Sequence, residues 1–150
     1  MGSHFQATSP DPLLRTLADF RFELRRFLHF SETAAIEAGL QPQQHQLLLQ
    51  VAGAPEGTVV TIAYVAARLG LKHNSTVELV DRSEREGLLT RKTDAADKRW
   101  AILQVTSKGK KILGRLVGSH ARELNELVPR LIKALKQISL HGQPVNTEAQ

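Results

Sequence analysis

Residues 61–109 change their apolar period twice, and that change constrains the fold more than any other feature of the chain. Up to Glu86 the spacing is helical, with Val65 and Leu69 in one short segment and Val77, Leu79 and Val80 in the next, and with Gly70 and Gly87 closing them. From Leu88 the composition becomes that of strands, LLTRKT (88–93) and WAILQV (100–105), joined by the turn chemistry of DAADKR. Thr61 is placed to cap a helix from Ile62 to about Leu69. Ser75 with Glu78 makes an S-x-x-E capping box, which starts the following helix near residue 75. Ala66 is small enough for the two helices to approach closely. Two short helices parted by a glycine and followed at once by a hairpin read as a helix-turn-helix with a wing.

Long helices are expected on both sides of this middle. From Asp11 to about Ala38, Leu13, Leu17, Phe20, Leu24, Phe27 and Leu28 fall on one stripe, while Phe22 lies nearly opposite Phe20. Such a helix, roughly 40 Å long at its usual rise per residue, has a second apolar side that suits another chain. Gly39 fits the stop position and Pro42 opens a helix that spends Leu47, Leu48, Leu49 and Val51 on a core. GAPEG (53–57) marks a loop, and Val59 with Val60 suggests a short strand. Thr106 caps the last helix, whose apolar residues run from Ile112 to Ile138 at three- and four-residue steps, with Pro129 expected to kink or break it after Val128. The fold class is mainly α with a small β-hairpin wing. It is a winged helix-turn-helix carrying long N- and C-terminal dimerisation helices. Residues 1–150 make one domain, with 11–39 and 112–140 as the dimerisation helices, 40–111 as the winged module, and 1–10 and 141–150 as flexible tails.

Charge locates the function. The chain carries +5 overall. Between Leu88 and Arg115 eight basic residues meet two acidic ones, a window of +6 that leaves −1 for the rest. One basic region on a balanced protein is the footprint of a polyanion binder. The absence of cysteine removes disulfides, thiolate metal sites and thiol catalysis. It suits the cytoplasm, and no apolar run is long enough to span a membrane. There is no H-E-x-x-H, G-x-S-x-G or phosphate-binding glycine loop, so an enzyme is not expected, and neither is a cofactor. His29 and Glu32 stand three apart on one helix, but the scattered histidines carry no further ligand spacing and no metal site is expected.

The chain resembles the MarR family of transcriptional regulators, best between Leu40 and Lys111. TIAYVAARLGL (61–71), ELVDRSEREGLLTR (78–91), the triplet Asp97-Lys98-Arg99 and VTSKG (105–109) carry the resemblance. It implies a homodimer with interlocking terminal helices, two winged helices on a pseudo-palindromic duplex, and a repressor released by a small lipophilic or aromatic effector. A winged-helix protein-interaction module, or a metal-responsive regulator using histidines, is the alternative. Ser83 stands where the family often has Leu, and Glu78 where it often has a basic or neutral residue.

A recognition helix reads bases from near its N-terminal end, which here means Asn74, Ser75, Thr76 and Glu78. Asn suits adenine and Glu the amino group of cytosine, although Ser75 and Glu78 have the capping box as a second use. His73 and Arg82 are placed for phosphates. Arg99, on the hairpin tip, fits a narrow A·T-rich minor groove, the contact the resemblance implies for it. Arg91, Lys92 and Lys98 would meet phosphates without regard to sequence, and Asp97 would hold the turn. An effector pocket, if the family's habit holds, falls near Phe22, Arg26, His29, Phe30 and His45.

Overall fold

The computed structural model describes residues 11–93, 95–97 and 100–141. In chain order they form α1 (Pro12–Glu37), α2 (Pro42–Ala52), α3 (Ile62–Leu69), α4 (His73–Arg85), β1 (Leu89–Thr93), β2 (Ala101–Val105) and α5 (Ser107–His141). They divide into two compact units, one drawn from Met1–His29 with Arg122–Gln150 and the other from Phe30–Ala121.

The second unit holds the winged helix. Its core takes Leu47, Leu48 and Val51 from α2, Leu79 and Val80 from α4, and Leu89 and Leu103 from the hairpin. Leu49, expected in that core, is exposed because it lies on the opposite face of α2 from its neighbours. The hairpin is antiparallel, with Leu89 opposite Val105 and Thr93 opposite Ala101. Val59 and Val60 do not form a strand, but the Val60 carbonyl accepts the Leu103 N–H at 2.8 Å on the outer edge of β2.

Local chemistry sets the joints of this unit. The Thr61 hydroxyl accepts the Tyr64 N–H, capping α3 as its sequence suggested. Gly70 takes φ +65°, and the Leu71 N–H returns to the Ala66 carbonyl at 3.0 Å, so the chain turns within three residues into α4. The T-S-K-G motif after the wing clamps the exit of α4. The Thr106 hydroxyl donates to the Gly87 carbonyl at 2.7 Å and accepts the Gly109 N–H at 3.1 Å. The Lys108 ammonium donates to the Glu86 carbonyl at 2.8 Å, a cation at the C-terminal end of α4. Gly109 is required here, because a Cβ would stand 2.5 Å from the Leu88 carbonyl oxygen and 2.6 Å from a Val105 methyl.

In the first unit, Thr16, Leu127 and Ala134 are buried and Arg130 pairs with Glu23 at 3.4 Å. Of the kink or break expected at Pro129, the break does not occur, and α5 runs on through it as one helix. Proline deletes one backbone donor, but Leu127 and Ala134 keep the buried stripe going on both sides of it. Large apolar side chains nevertheless face solvent in this single chain. Leu17, Leu24 and Leu28 of α1 are exposed, as are Val117, Leu124, Val128, Ile132 and Leu135 of α5.

Candidate nucleic-acid interface

α4 has two clean faces. Thr76, Leu79, Val80 and Ser83 are buried, a stripe of three- and four-residue steps that faces the core. Half a turn round, Asn74, Ser75, Glu78, Arg82 and Arg85 are all exposed. Thr76 therefore does not stand where the sequence reading put it. It is fully buried, and its hydroxyl donates to the Lys72 carbonyl at 3.0 Å. Ser83 is buried as well, and its hydroxyl is satisfied by the Leu79 carbonyl at 2.8 Å, which lets a polar side chain occupy a core position.

The expected capping box is absent. α4 begins at His73 with Lys72 as its N-cap, and no side chain caps it. Ser75 is thus the third helical residue and Glu78 the sixth, one turn too deep to reach back to the start. Both carboxylate and hydroxyl point outward, free of that local role. His73 and Lys72 are exposed beside the uncapped backbone amides, a setting that attracts phosphate.

The wing adjoins this helix through one arginine. The Arg91 guanidinium pairs with the Asp81 carboxylate and, at 3.3 Å, with that of Glu84, and its backbone N–H also donates to Glu84 at 3.1 Å. The side chain assigned from sequence to a phosphate is thus turned inward, bracing β1 against α4. Its Nε is buried without a partner. Lys92 is exposed. Lys98 and Arg99 lie outside the described residues. Asp97 holds the turn, its carbonyl accepting the Trp100 backbone N–H at 3.1 Å and its carboxylate accepting the indole N–H at 3.0 Å.

Of the five residues assigned to an effector pocket, Phe30 and His45 meet through His120, with ring centroids 5.6 and 5.0 Å from it. The Leu116 carbonyl, 2.6 Å from His120 Nδ1, can only accept, so that nitrogen carries a proton, while Nε2 faces the Ser31 hydroxyl at 2.7 Å. His45 is buried with its Nε2 unpartnered. Burial, reinforced by the neighbouring His120, holds its pKa down from 6.5 to about 4. Phe22 instead lines a cavity of about 610 Å³ within the first unit, with Phe20, Arg15 and Lys133 among its walls. Arg26 pairs with Glu23 at 3.4 Å and Glu123 at 4.0 Å, and His29 is exposed. Among the described residues no group of three His, Asp or Glu side chains could hold a metal.

Sequence reading overlooked Trp100, Arg85 and His120. Arg85 was available from the helical projection, seven residues beyond Glu78 on the same face. Neither of the other two carries a local signal, since a strand-end tryptophan and a mid-helix histidine look like ordinary packing.

An outward-facing polar helix, packed behind a second short helix and followed by a two-stranded wing, defines a winged helix-turn-helix protein. Residues 38–99 match the MarR family model. The chain is 32% identical over 87 residues to the uncharacterized HTH-type transcriptional regulator YkoM of Bacillus subtilis, covering 53% of this chain and 56% of that one. The aligned stretch thus spans little more than half of that relative's length. It is 27% identical over 118 residues to a putative transcriptional regulatory protein for the hcr operon of Thauera aromatica, covering 75% and 69%. Among solved structures, it resembles the transcriptional repressor CouR bound to a 23-mer DNA duplex, with TM-score 0.61, 26% identity, and 82% and 89% of the chains covered. CouR from Rhodococcus jostii RHA1 has also been solved with p-coumaroyl-CoA, and that structure is 22% identical with TM-score 0.58 over 83% and 88% of the chains. The comparisons agree with the chain's resemblance to the MarR family that its motifs suggested. Its relatives are described as regulators, in keeping with the reading that it is not an enzyme.

Proposed function

We propose that this protein is a homodimeric, sequence-specific DNA-binding transcriptional regulator of the cytoplasm, acting as a repressor. The observation that carries the reading is the outer face of α4. Asn74, Ser75, Glu78 and Arg82 stand in solvent opposite the buried stripe, with a basic hairpin braced alongside. Asn74 and Glu78 have the donor and acceptor sets to read base edges in a major groove. Lys72, His73, Arg82 and Lys92 supply phosphate contacts, and Lys98 and Arg99 join them from the sequence reading. Arg99 enters the minor groove.

A pseudo-palindromic operator needs two such helices about 34 Å apart. Support for a second copy comes from apolar side chains on α1 and α5 that are left outside the core. Leu17, Leu24 and Leu28 on α1, and Val117, Leu124, Val128 and Leu135 on α5, repeat at sevens and fours and lie in water. That is the spacing of a helix–helix seam. The effector is a small aromatic acid, a class supported by the Phe20 and Phe22 rings and the Arg15 and Lys133 cations around the first unit's cavity. Since that cavity lies on the dimerisation helices, a ligand there acts through the spacing of the two winged modules.

Selection of bound sequences from a random duplex pool tests the reading. An inverted repeat should be enriched, with affinity falling steeply as salt rises, by about 0.9 in log K per unit of log salt for each phosphate met. A protein-interaction module would retain no duplex, and a metal-responsive regulator would lose its operator on chelation.

A further inference from the structure

Trp100 is the chain's single tryptophan. Among the described residues of 88–105 it is also the one large apolar side chain standing in solvent, 47% exposed. It is not loose there. Its indole N–H donates to the Asp97 carboxylate and its backbone N–H to the Asp97 carbonyl, so both ends of the residue are tied to the turn while the ring's far edge stays in water.

The strand pattern says which surface the ring belongs to. Leu103 and Val105 are buried, and Gln104 is exposed. Continuing that alternation puts Trp100 on the outer face of the hairpin with Ile102 and Gln104. The register sets Lys92, itself exposed, opposite Ile102. The outer face of the wing therefore presents a cation and, one step nearer the tip, a rigid half-bare indole. A cation beside a flat apolar ring suits a nucleic-acid backbone, the cation drawing phosphate and the ring covering the apolar face of the sugar. A ring already ordered by its own hydrogen bonds loses little conformational freedom when it is covered.

We propose that Trp100 is a DNA-contacting residue, its ring lying against the deoxyribose edge of the groove the wing enters; this rests on the DNA-binding reading above. The contact is apolar and independent of base identity. It adds affinity and fixes the depth of the wing, and it leaves sequence choice to α4.

Because no other tryptophan contributes, fluorescence quenching by the neutral quencher acrylamide reports on this one ring. The probe is the duplex recovered from the random pool, and a mobility shift on the same sample confirms the complex. Acrylamide should quench the free protein readily and the complex severalfold less. Trp100→Ala should weaken binding about five- to tenfold, the scale of covering roughly a third of an indole's apolar surface, with the salt dependence unchanged because no charge is removed. Trp100→Phe, which keeps a ring and loses the N–H, should bind within about twofold of the parent because most of the apolar ring area remains. A duplex that shifts while quenching stays the same overturns the proposal. So does a Trp100→Phe protein as weak as Trp100→Ala, or a changed salt slope in either, since both would mean that the indole only braces the turn. If no duplex shifts at all, the DNA-binding reading falls first and the proposal with it.

Discussion

Replacing Arg91 with methionine separates two roles for the same side chain. The sequence suggested a phosphate contact, whereas the structure places the guanidinium against Asp81 and Glu84. Methionine keeps the aliphatic stem and removes the charge. Two ion pairs are lost, but Asp81 and Glu84 have side chains 45% and 36% exposed and can rehydrate. Each pair is then worth at most about 1 kcal/mol. The buried, unpartnered Nε is removed at the same time, which offsets part of the loss. The Arg91 backbone N–H still reaches Glu84. The net cost should be about 1 kcal/mol in denaturant unfolding, with a coupling of roughly 0.5–1 kcal/mol to Asp81→Asn in a double-mutant cycle. Duplex affinity should fall modestly because the angle between α4 and the wing relaxes, while the slope of log K against log salt stays the same. Unchanged stability, together with a salt slope reduced by about one phosphate contact, would refute the bracing role.

Three further outcomes follow from burial. Gly109→Ala should destabilise by about 1–3 kcal/mol in thermal or denaturant unfolding, because the new methyl meets the Leu88 carbonyl and a Val105 methyl at 2.5 and 2.6 Å. Ser83→Leu should cost a similar ~1–3 kcal/mol, since Ser83 is fully buried and a larger side chain must push its neighbours apart. His45 binds its proton more weakly folded, with a pKa of about 4, than unfolded at 6.5, so the unfolded state holds more protons between those values. Its contribution is complete above pH 6.5 and is lost as pH falls toward 4, on the order of 2–3 kcal/mol. Unfolding curves across that range should be flatter for His45→Leu than for the parent.

Much of the fold could be read from the chain because its signals are local and agree with one another. Thr61, Gly70, Thr106 and the change of apolar period at Leu88 each fix a boundary without help from distant residues. The start of α4 could not be read this way. S-x-x-E is a capping box only if the helix begins at the serine, and the tight turn after Gly70 begins it at His73 instead. That two-residue difference decides the site. A start at His73 sends Thr76 to the core and leaves Asn74 and Glu78 outside. Arg91 was misread for another reason, since its partners sit seven and ten residues back on a helix whose packing no sequence period reports. Pro129 shows the converse, where continuous apolar packing overrides a residue that would end an isolated helix.

The reading role of α4 is tested most directly by repeating the random-duplex selection with Asn74→Ala and with Glu78→Ala. Each variant should return the parent's inverted repeat with preference lost at one position per half-site, costing about 1–3 kcal/mol against the original base pair, and non-selected duplex should bind as before. The same enriched sequence from parent and both variants would mean that this helix face does not read the DNA.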